Sequence, residues 1–387
     1  WMLDSLATGR LTLPRNRIVG YSLLLLFAYG FSYTYTMDDS RTLSETLRLA
    51  FNVLSFLSVM HFVRGERRFD HAIVALVVTG VGVAAIAGFQ YVTGIIFWNE
   101  QLILQQVARV NATFADPNSL ATFMNVVIAI SLSGALAVRR LWLRFVLLGA
   151  AGACALGLLF SFSRAGWLCG AVVFGLFILL ALRSRPVAAF ALVCLAAAVA
   201  FGLFVAVPQI ADRFEQSLEP GALSVRPYLI EAGLIMFLEN PVLGVGAGAY
   251  RLAAQTEYAF ANPFVWYVSA SHTAIVTTMA ELGIVGLTLT LLICWETIRQ
   301  LWQIHNDEQR PELHQGYAAG LLLAFLAVLL QAQSVGVFFE EPYLWIILGL
   351  TVVLRRWRRT DAGRRPTDDR QQSDPFLRPS SPVVRPQ

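Results

Sequence analysis

The sequence predicts an all-α polytopic membrane protein, and three observations predict it. Of its 387 residues 57% are apolar and only 14% charged. The mean hydropathy is +0.61. Uninterrupted apolar runs close to the roughly 20 residues that a helix needs to cross hydrocarbon recur along most of the chain. A water-soluble globule of this length needs more polar surface, so lipid has to take the place of water around the molecule.

Taken in order, the runs cover residues 18–36, 44–63, 71–92, 118–137, 142–162, 166–182, 186–208, 272–296, 315–334 and 341–354, about ten spans in all. The last is short and can begin earlier. Between them the predicted inner loops are short and two outer segments are long, 93–117 and 209–270. This divides the chain into N-terminal transmembrane helices (1–208), an outer helical loop subdomain (209–270), C-terminal transmembrane helices (271–354) and a tail (355–387). The tail is polar and proline-rich from 360 onward, TDAGRRPTDDRQQSDPFLRPSSPVVRPQ, with too few apolar groups to offset ordering entropy, and is expected to be disordered on the cytoplasmic side. No removable signal peptide is visible. The sequence opens on Trp1 rather than methionine, so the natural chain is expected to begin earlier, with any further spans even in number.

Orientation rests on arginine alone, because the chain has no lysine and all 29 basic residues are arginine. With the N-terminus inside, 22 arginines fall on the inner side, among them the groups at 10–17, 64–68, 139–144 and 183–185 and the run from Arg355 onward. Arg41, Arg48, Arg109, Arg164, Arg213, Arg226 and Arg251 fall outside, 22 against 7. That is the asymmetry of the positive-inside rule, so the net charge of +4 is a topology signal and no nucleic-acid partner is expected. Cys154, Cys169, Cys194 and Cys294 sit inside apolar runs without metal-ligand spacing and read as small fillers. No internal repeat is evident, which weighs against a transporter built from two related halves.

The polar groups of interest gather at the outer face. Arg164, in SFSRAGW, is held at the hydrocarbon boundary, either snorkelling to lipid phosphate or binding an anionic substrate. Arg226, in SVRPYLIEAGLIMFLEN, opens a helical segment too short to span, with Ser224 as its candidate cap. An arginine in the first turn adds a bidentate donor to free backbone N–H groups and the positive dipole end, a site suited to diphosphate, the alternative being an anchor to any anionic lipid. NPVLGVGAGAY (240–250) has the glycines of a phosphate loop, yet no strand precedes it and the chain has no Walker lysine. It reads as a tight outer turn where backbones pass closely. His272, the only outer histidine, follows Ser269 and Ser271 and opens a span, where a positive helix end and any nearby arginine favour the neutral ring. Asp116 and Asn118, in FADPNSLA, lead into another span and either cap it or touch sugar. Glu281, in AELG, is an intramembrane acid, a packing group or an arginine partner.

Together, ATFADPNSLA (112–121), SFSRAGW (161–167), the Arg226 segment with NPVLGVGAGAY, and SHTAIVTTMAELGIVGL (271–287) resemble, in order and spacing, the O-antigen ligase and O-antigen polymerase superfamily of bacterial envelope glycosyltransferases. The resemblance covers about residues 110–290, departing at Ala247, where proline is common, and at Thr273, where asparagine is frequent. It implies a GT-C-like fold of about twelve spans in the bacterial inner membrane with the site on the periplasmic face. It also implies metal-independent, inverting transfer of a glycan from undecaprenyl diphosphate, without a cofactor. Arg164, Arg226 and His272 are the catalytic candidates. The two arginines also bind substrate, together with Asn118, Asp116 and Tyr228. The partners implied are the undecaprenyl-diphosphate-linked donor, a lipid A–core acceptor and membrane lipid. Three acceptors compete: lipid A–core (a ligase), another lipid-linked glycan (a polymerase of O-antigen or exopolysaccharide), or a protein hydroxyl. The modest outer loop favours the ligase. A transporter of an anion or lipid is the alternative from another class, and would call for polar groups deep in several spans.

Overall fold

A computed structural model describes residues 15–96, 109–184, 186–187, 190–194, 226–261, 271–336 and 338–357. Most of the expected span at 186–208, residues 209–225 and 262–270 of the outer segment, the tail beyond 357, Ser224 and Ser269 lie outside these residues. No strand occurs among the described residues. The helices are α1 (Arg17–Ser32), α2 (Asp39–Phe62), α3 (Glu66–Thr93), α4 (Pro117–Ala137), α5 (Leu141–Phe160), α6 (Arg164–Ser184), α7 (Arg226–Glu239), α8 (Tyr250–Gln255), α9 (Ala274–His305), α10 (Glu312–Val335) and α11 (Pro342–Arg356), with a 3₁₀ turn at Ala259–Ala261.

Seven of these helices, α2 to α6, α9 and α10, are long and apolar enough to cross a membrane. Helices α1 and α11, at 16 and 15 residues, are shorter apolar helices packed into the same bundle. Their boundaries follow the apolar runs because local chemistry ends each run. Asn16 Oδ1 accepts from Ile18 N at 2.9 Å to cap α1, and Asp116 caps α4 with Pro117 as first helical residue. Gly94 and Gly336 close α3 and α10 in the left-handed conformation. Large apolar side chains such as Phe27, Phe51, Phe145 and Leu168 remain exposed on α1, α2, α5 and α6, a surface that only lipid tolerates. The chain is therefore a multi-pass membrane protein.

Helix α4 forms the axis of the bundle, buried along nearly its whole length, and packs chiefly against α10 and α5. Close approach to α10 depends on a small-residue face. A Cβ on Gly316 would lie 2.2 Å from Ala137 Cβ, and one on Gly320 would lie 3.2 Å from Ile130 Cα. The up-and-down course brings the ends of α1, α3, α5 and α10 and the starts of α2, α4, α6, α9 and α11 to one end of the bundle. Six described arginines occupy that end and thirteen the other, the imbalance expected from the sequence.

Residues 226–261 build a small helical unit at the same end. It has its own core of Leu229, Met236, Tyr250, Ala253 and Tyr258, which packs on Ala280 of α9. One feature was not anticipated. Helix α9 runs for 32 residues, about 48 Å at the usual rise, and is broken at Gly283, whose φ of 60° and ψ of −153° are not helical.

Candidate active site

Among the described residues three non-glycine residues have left-handed backbone: Ala112 (φ 48°), Phe162 (φ 49°) and His272 (φ 54°). Each falls in a segment that the sequence singled out: ATFADPNSLA, SFSRAGW and SHTA. Such conformations cost about 1–3 kcal/mol each and persist only where the surroundings over-determine them.

The surroundings are specific. Gln90 of α3 clamps Ala112: its Oε1 accepts from Asn111 N at 3.2 Å and Ala112 N at 2.7 Å, and its Nε2 donates to Ala112 O at 3.3 Å. Ser161 and Ser163 bracket Phe162. Ser161 Oγ donates to Leu158 O at 2.6 Å and accepts from Ser163 N at 3.2 Å. Ser163 Oγ donates to Asn118 Oδ1 at 2.7 Å and accepts from Gly166 N at 3.1 Å, which fixes the start of α6 and so Arg164. Ser271 does the same for His272. Its Oγ donates to Thr273 O at 2.7 Å, accepts from Thr273 N at 3.1 Å and lies 2.8 Å from Thr277 Oγ1.

These turns gather charges from distant parts of the sequence. Burial lowers the pKa of His272 below its ordinary value, the Arg226 guanidinium lowers it further, and the Asp116 carboxylate opposes both. The ring is thus neutral at pH 7, as the sequence suggested, though burial outweighs the charge. Arg226 is itself lowered by burial and then by Arg164. Arg109 is lowered by burial and by Arg164, against Asp116. Asp116, Arg109, Arg164, Arg226 and His272 therefore form a closed circuit of electrostatic neighbours. Arg226 Nη2 also reaches Ser334 O at the end of α10, 3.5 Å away.

Of the expected site residues, Arg164, Arg226 and His272 come together. Asp116 and Asn118 join them but are engaged locally. Asp116 accepts from Asn118 N at 3.1 Å and from Asn118 Nδ2 at 3.3 Å, and Asn118 Oδ1 receives Ser163. Tyr228 is exposed, and its place two residues after Arg226 sets it on another side of α7. Sequence reasoning missed Arg109, whose Nε lies 3.5 Å from Ser161 O and whose Nη2 lies 3.4 Å from Asn118 Oδ1. Its signal was there, an outer arginine three residues before ATFAD. No group of three or more His, Cys, Asp or Glu side chains among the described residues is arranged to hold a metal ion.

The glycine segment proves to be the counterpart of the break in α9. At Gly283 two helical hydrogen bonds are missing, from Ile284 N to Ala280 O and from Val285 N to Glu281 O, and all four groups find partners in the loop. Val245 N donates to Ala280 O at 2.9 Å and Gly246 N to Glu281 O at 2.9 Å. Ile284 N donates to Pro241 O at 2.9 Å and Val285 N to Val242 O at 3.4 Å. A broken helix at membrane depth is tolerated only with this complete satisfaction. Contact is backbone to backbone: a Cβ on Gly244 (φ 70°) would meet Glu281 C at 2.4 Å, and one on Gly283 would meet Val242 C at 2.4 Å. Glu281 takes the packing role: its Oε1 accepts from Tyr250 N at 3.3 Å. The loop is moored to the first hairpin through Thr42 Oγ1, which donates to Ala247 O at 2.6 Å, and Ser32 Oγ, which accepts from Ala247 N at 3.1 Å.

Residues 149–291, a little over a third of the chain, match the protein family described as O-antigen ligase. No curated protein matches the chain. The matched segment runs from α5 into the second half of α9, so it holds Arg164, Arg226, the glycine loop and His272, while Arg109, Asp116 and Asn118 lie ahead of it. The match supports the O-antigen ligase and O-antigen polymerase superfamily that the sequence resembles.

Proposed function

We propose that this protein is an O-antigen ligase that transfers a glycan from undecaprenyl diphosphate to lipid A–core oligosaccharide at the outer face of the bacterial inner membrane. The observation that carries the reading is the convergence of Arg164 and Arg226, where burial and then the Arg164 charge lower the proton affinity of Arg226, beside a neutral His272. Two guanidiniums held against their own repulsion are stabilised by a bound anion, and a diphosphate matches their bidentate geometry. The acceptor hydroxyl gives its proton to His272 and its oxygen forms the new bond to the anomeric carbon from the face opposite the diphosphate. The bond from that carbon to the diphosphate oxygen breaks, and undecaprenyl diphosphate leaves with the electron pair, its charge held by the arginines. Configuration inverts in this single displacement. Positive charge comes from arginine, so no metal is required and transfer is expected to survive a chelator.

The test is an assay of purified protein with an undecaprenyl-diphosphate-linked glycan, lipid A–core and EDTA in one tube, products being resolved by size and by lipid. Glycan on lipid A–core supports the ligase. Longer chains still on undecaprenyl diphosphate would replace it with a polymerase, and intact donor would return weight to a protein acceptor or to transport. Arg164→Ala and Arg226→Ala are expected to abolish transfer without loss of folded protein, and lysine at either position is expected not to restore it. Arg109→Ala is expected to lower transfer about tenfold or more by loosening Asn118 and the positive field. Full activity in both the Arg164 and Arg226 variants would refute the diphosphate role.

A further inference from the structure

Beside the arginine circuit, at the same end of the bundle, lies a polar cavity of about 230 Å³. Its wall includes the carboxylates of Glu45, Glu281 and Glu340 and the guanidiniums of Arg41 and Arg251, with Phe338 and Phe339 as an apolar side. It touches the site already described at two points. Thr277, on one wall, lies 2.8 Å from the Ser271 hydroxyl that holds His272 in its turn. Val335 and Gly336, on the other, directly follow Ser334, whose carbonyl receives Arg226.

The lining selects among ligands. A small anion meets three carboxylates, and a cation meets two arginines. A polyhydroxylated neutral ring, each of whose hydroxyls both donates and accepts, is satisfied by interleaved carboxylates and guanidiniums and lays a C–H face on the phenylalanines. The groups are poised for a guest. Glu45 Oε1, on a side chain 8% exposed, stands 3.1 Å from Arg41 Nε but in a direction that leaves this buried oxygen without an aligned hydrogen bond. Burial, then the Glu45 charge, raises Glu340 to about 7 against the pull of Arg48 and Arg41. The volume suits one saccharide ring rather than a chain.

We propose that this cavity binds one uncharged saccharide ring of the acceptor glycan, sharing its hydroxyls among Glu45, Glu281, Glu340, Arg41 and Arg251 and presenting the reacting hydroxyl past Thr277 to His272. The assignment rests on the transferase reading above, and the experiment separates the two. Full-length protein in nanodiscs is titrated by saturation-transfer NMR with deacylated core oligosaccharide and, in parallel, with the donor's own glycan freed of its diphosphate. Steady-state transfer is measured on the same preparations. Glu340→Gln and Arg251→Gln are expected to raise the acceptor KM about tenfold or more, with donor KM unchanged, and to abolish saccharide binding. His272→Ala is expected to keep that binding while losing turnover. Arg251→Gln guards against a folding defect in the Glu340 variant, since Glu340 also pairs with Arg48 at 2.5 Å. Unchanged acceptor KM and binding in both variants would overturn the cavity's role, as would binding of neither probe by wild-type protein. Saccharide binding lost in these variants, in a wild-type protein that transfers nothing, would keep the cavity and overturn the transferase reading instead.

Discussion

At His272 the chemistry depends on a ring kept neutral by burial and by a neighbouring cation. A general base works when deprotonated, so turnover is expected to fall on the acid side, through a pKa lying below the ordinary histidine value, and to be level at neutral pH. The causes have opposite signs and can be separated. Titrated by NMR of the imidazole, Arg226→Gln should move the His272 midpoint up and Asp116→Asn should move it down; a midpoint indifferent to both would break the circuit proposed around it. His272 was legible in the sequence because topology left it as the only outer histidine. Arg109 was legible only as an outer arginine close to ATFAD, because its role arises from Asp116, Asn118 and Arg164 drawing near it in space. Tyr228, expected to bind substrate with the arginines, lies two residues after Arg226 and so on another side of α7.

Among elements, α9 and the 240–250 loop form one unit, although more than thirty residues separate their contacts. Alanine at Gly283 or Gly244 would carry about 1–3 kcal/mol of positive-φ strain plus a Cβ inside another backbone's radius. Both variants should unfold at distinctly lower temperature in detergent. Gly20→Ala, where a Cβ meets nothing within 4 Å, should be neutral or slightly stabilising, as helix propensity dictates. Equal melting of Gly283→Ala and Gly20→Ala would contradict the break. The glycine loop was legible as a place of close backbone passage. Its partner was not, because Gly283 is a lone glycine in an apolar run and nothing local marks it as a break.

Across the whole molecule, most boundaries of the described spans were readable to within about five residues because hydrocarbon demands a length and leaves arginines at the ends, though α9 runs on to His305, well past the expected end at 296. Which helix sits at the centre was not, since α4 is no more apolar than its neighbours; its place follows from the small residues that admit α10. Hydrogen exchange should therefore be slowest in α4 and α10 and faster in α3 and α5, and an α5 as protected as α4 would mean that the centre lies elsewhere. The broken helix also bears on how the protein is made. During synthesis the loop emerges ahead of α9, and its mooring points on Ser32 and Thr42 emerge earlier still, so each docking surface exists before the piece that needs it. The order of synthesis thus sets the α1–α2 hairpin, then the loop it holds, ahead of the helix whose break the loop satisfies.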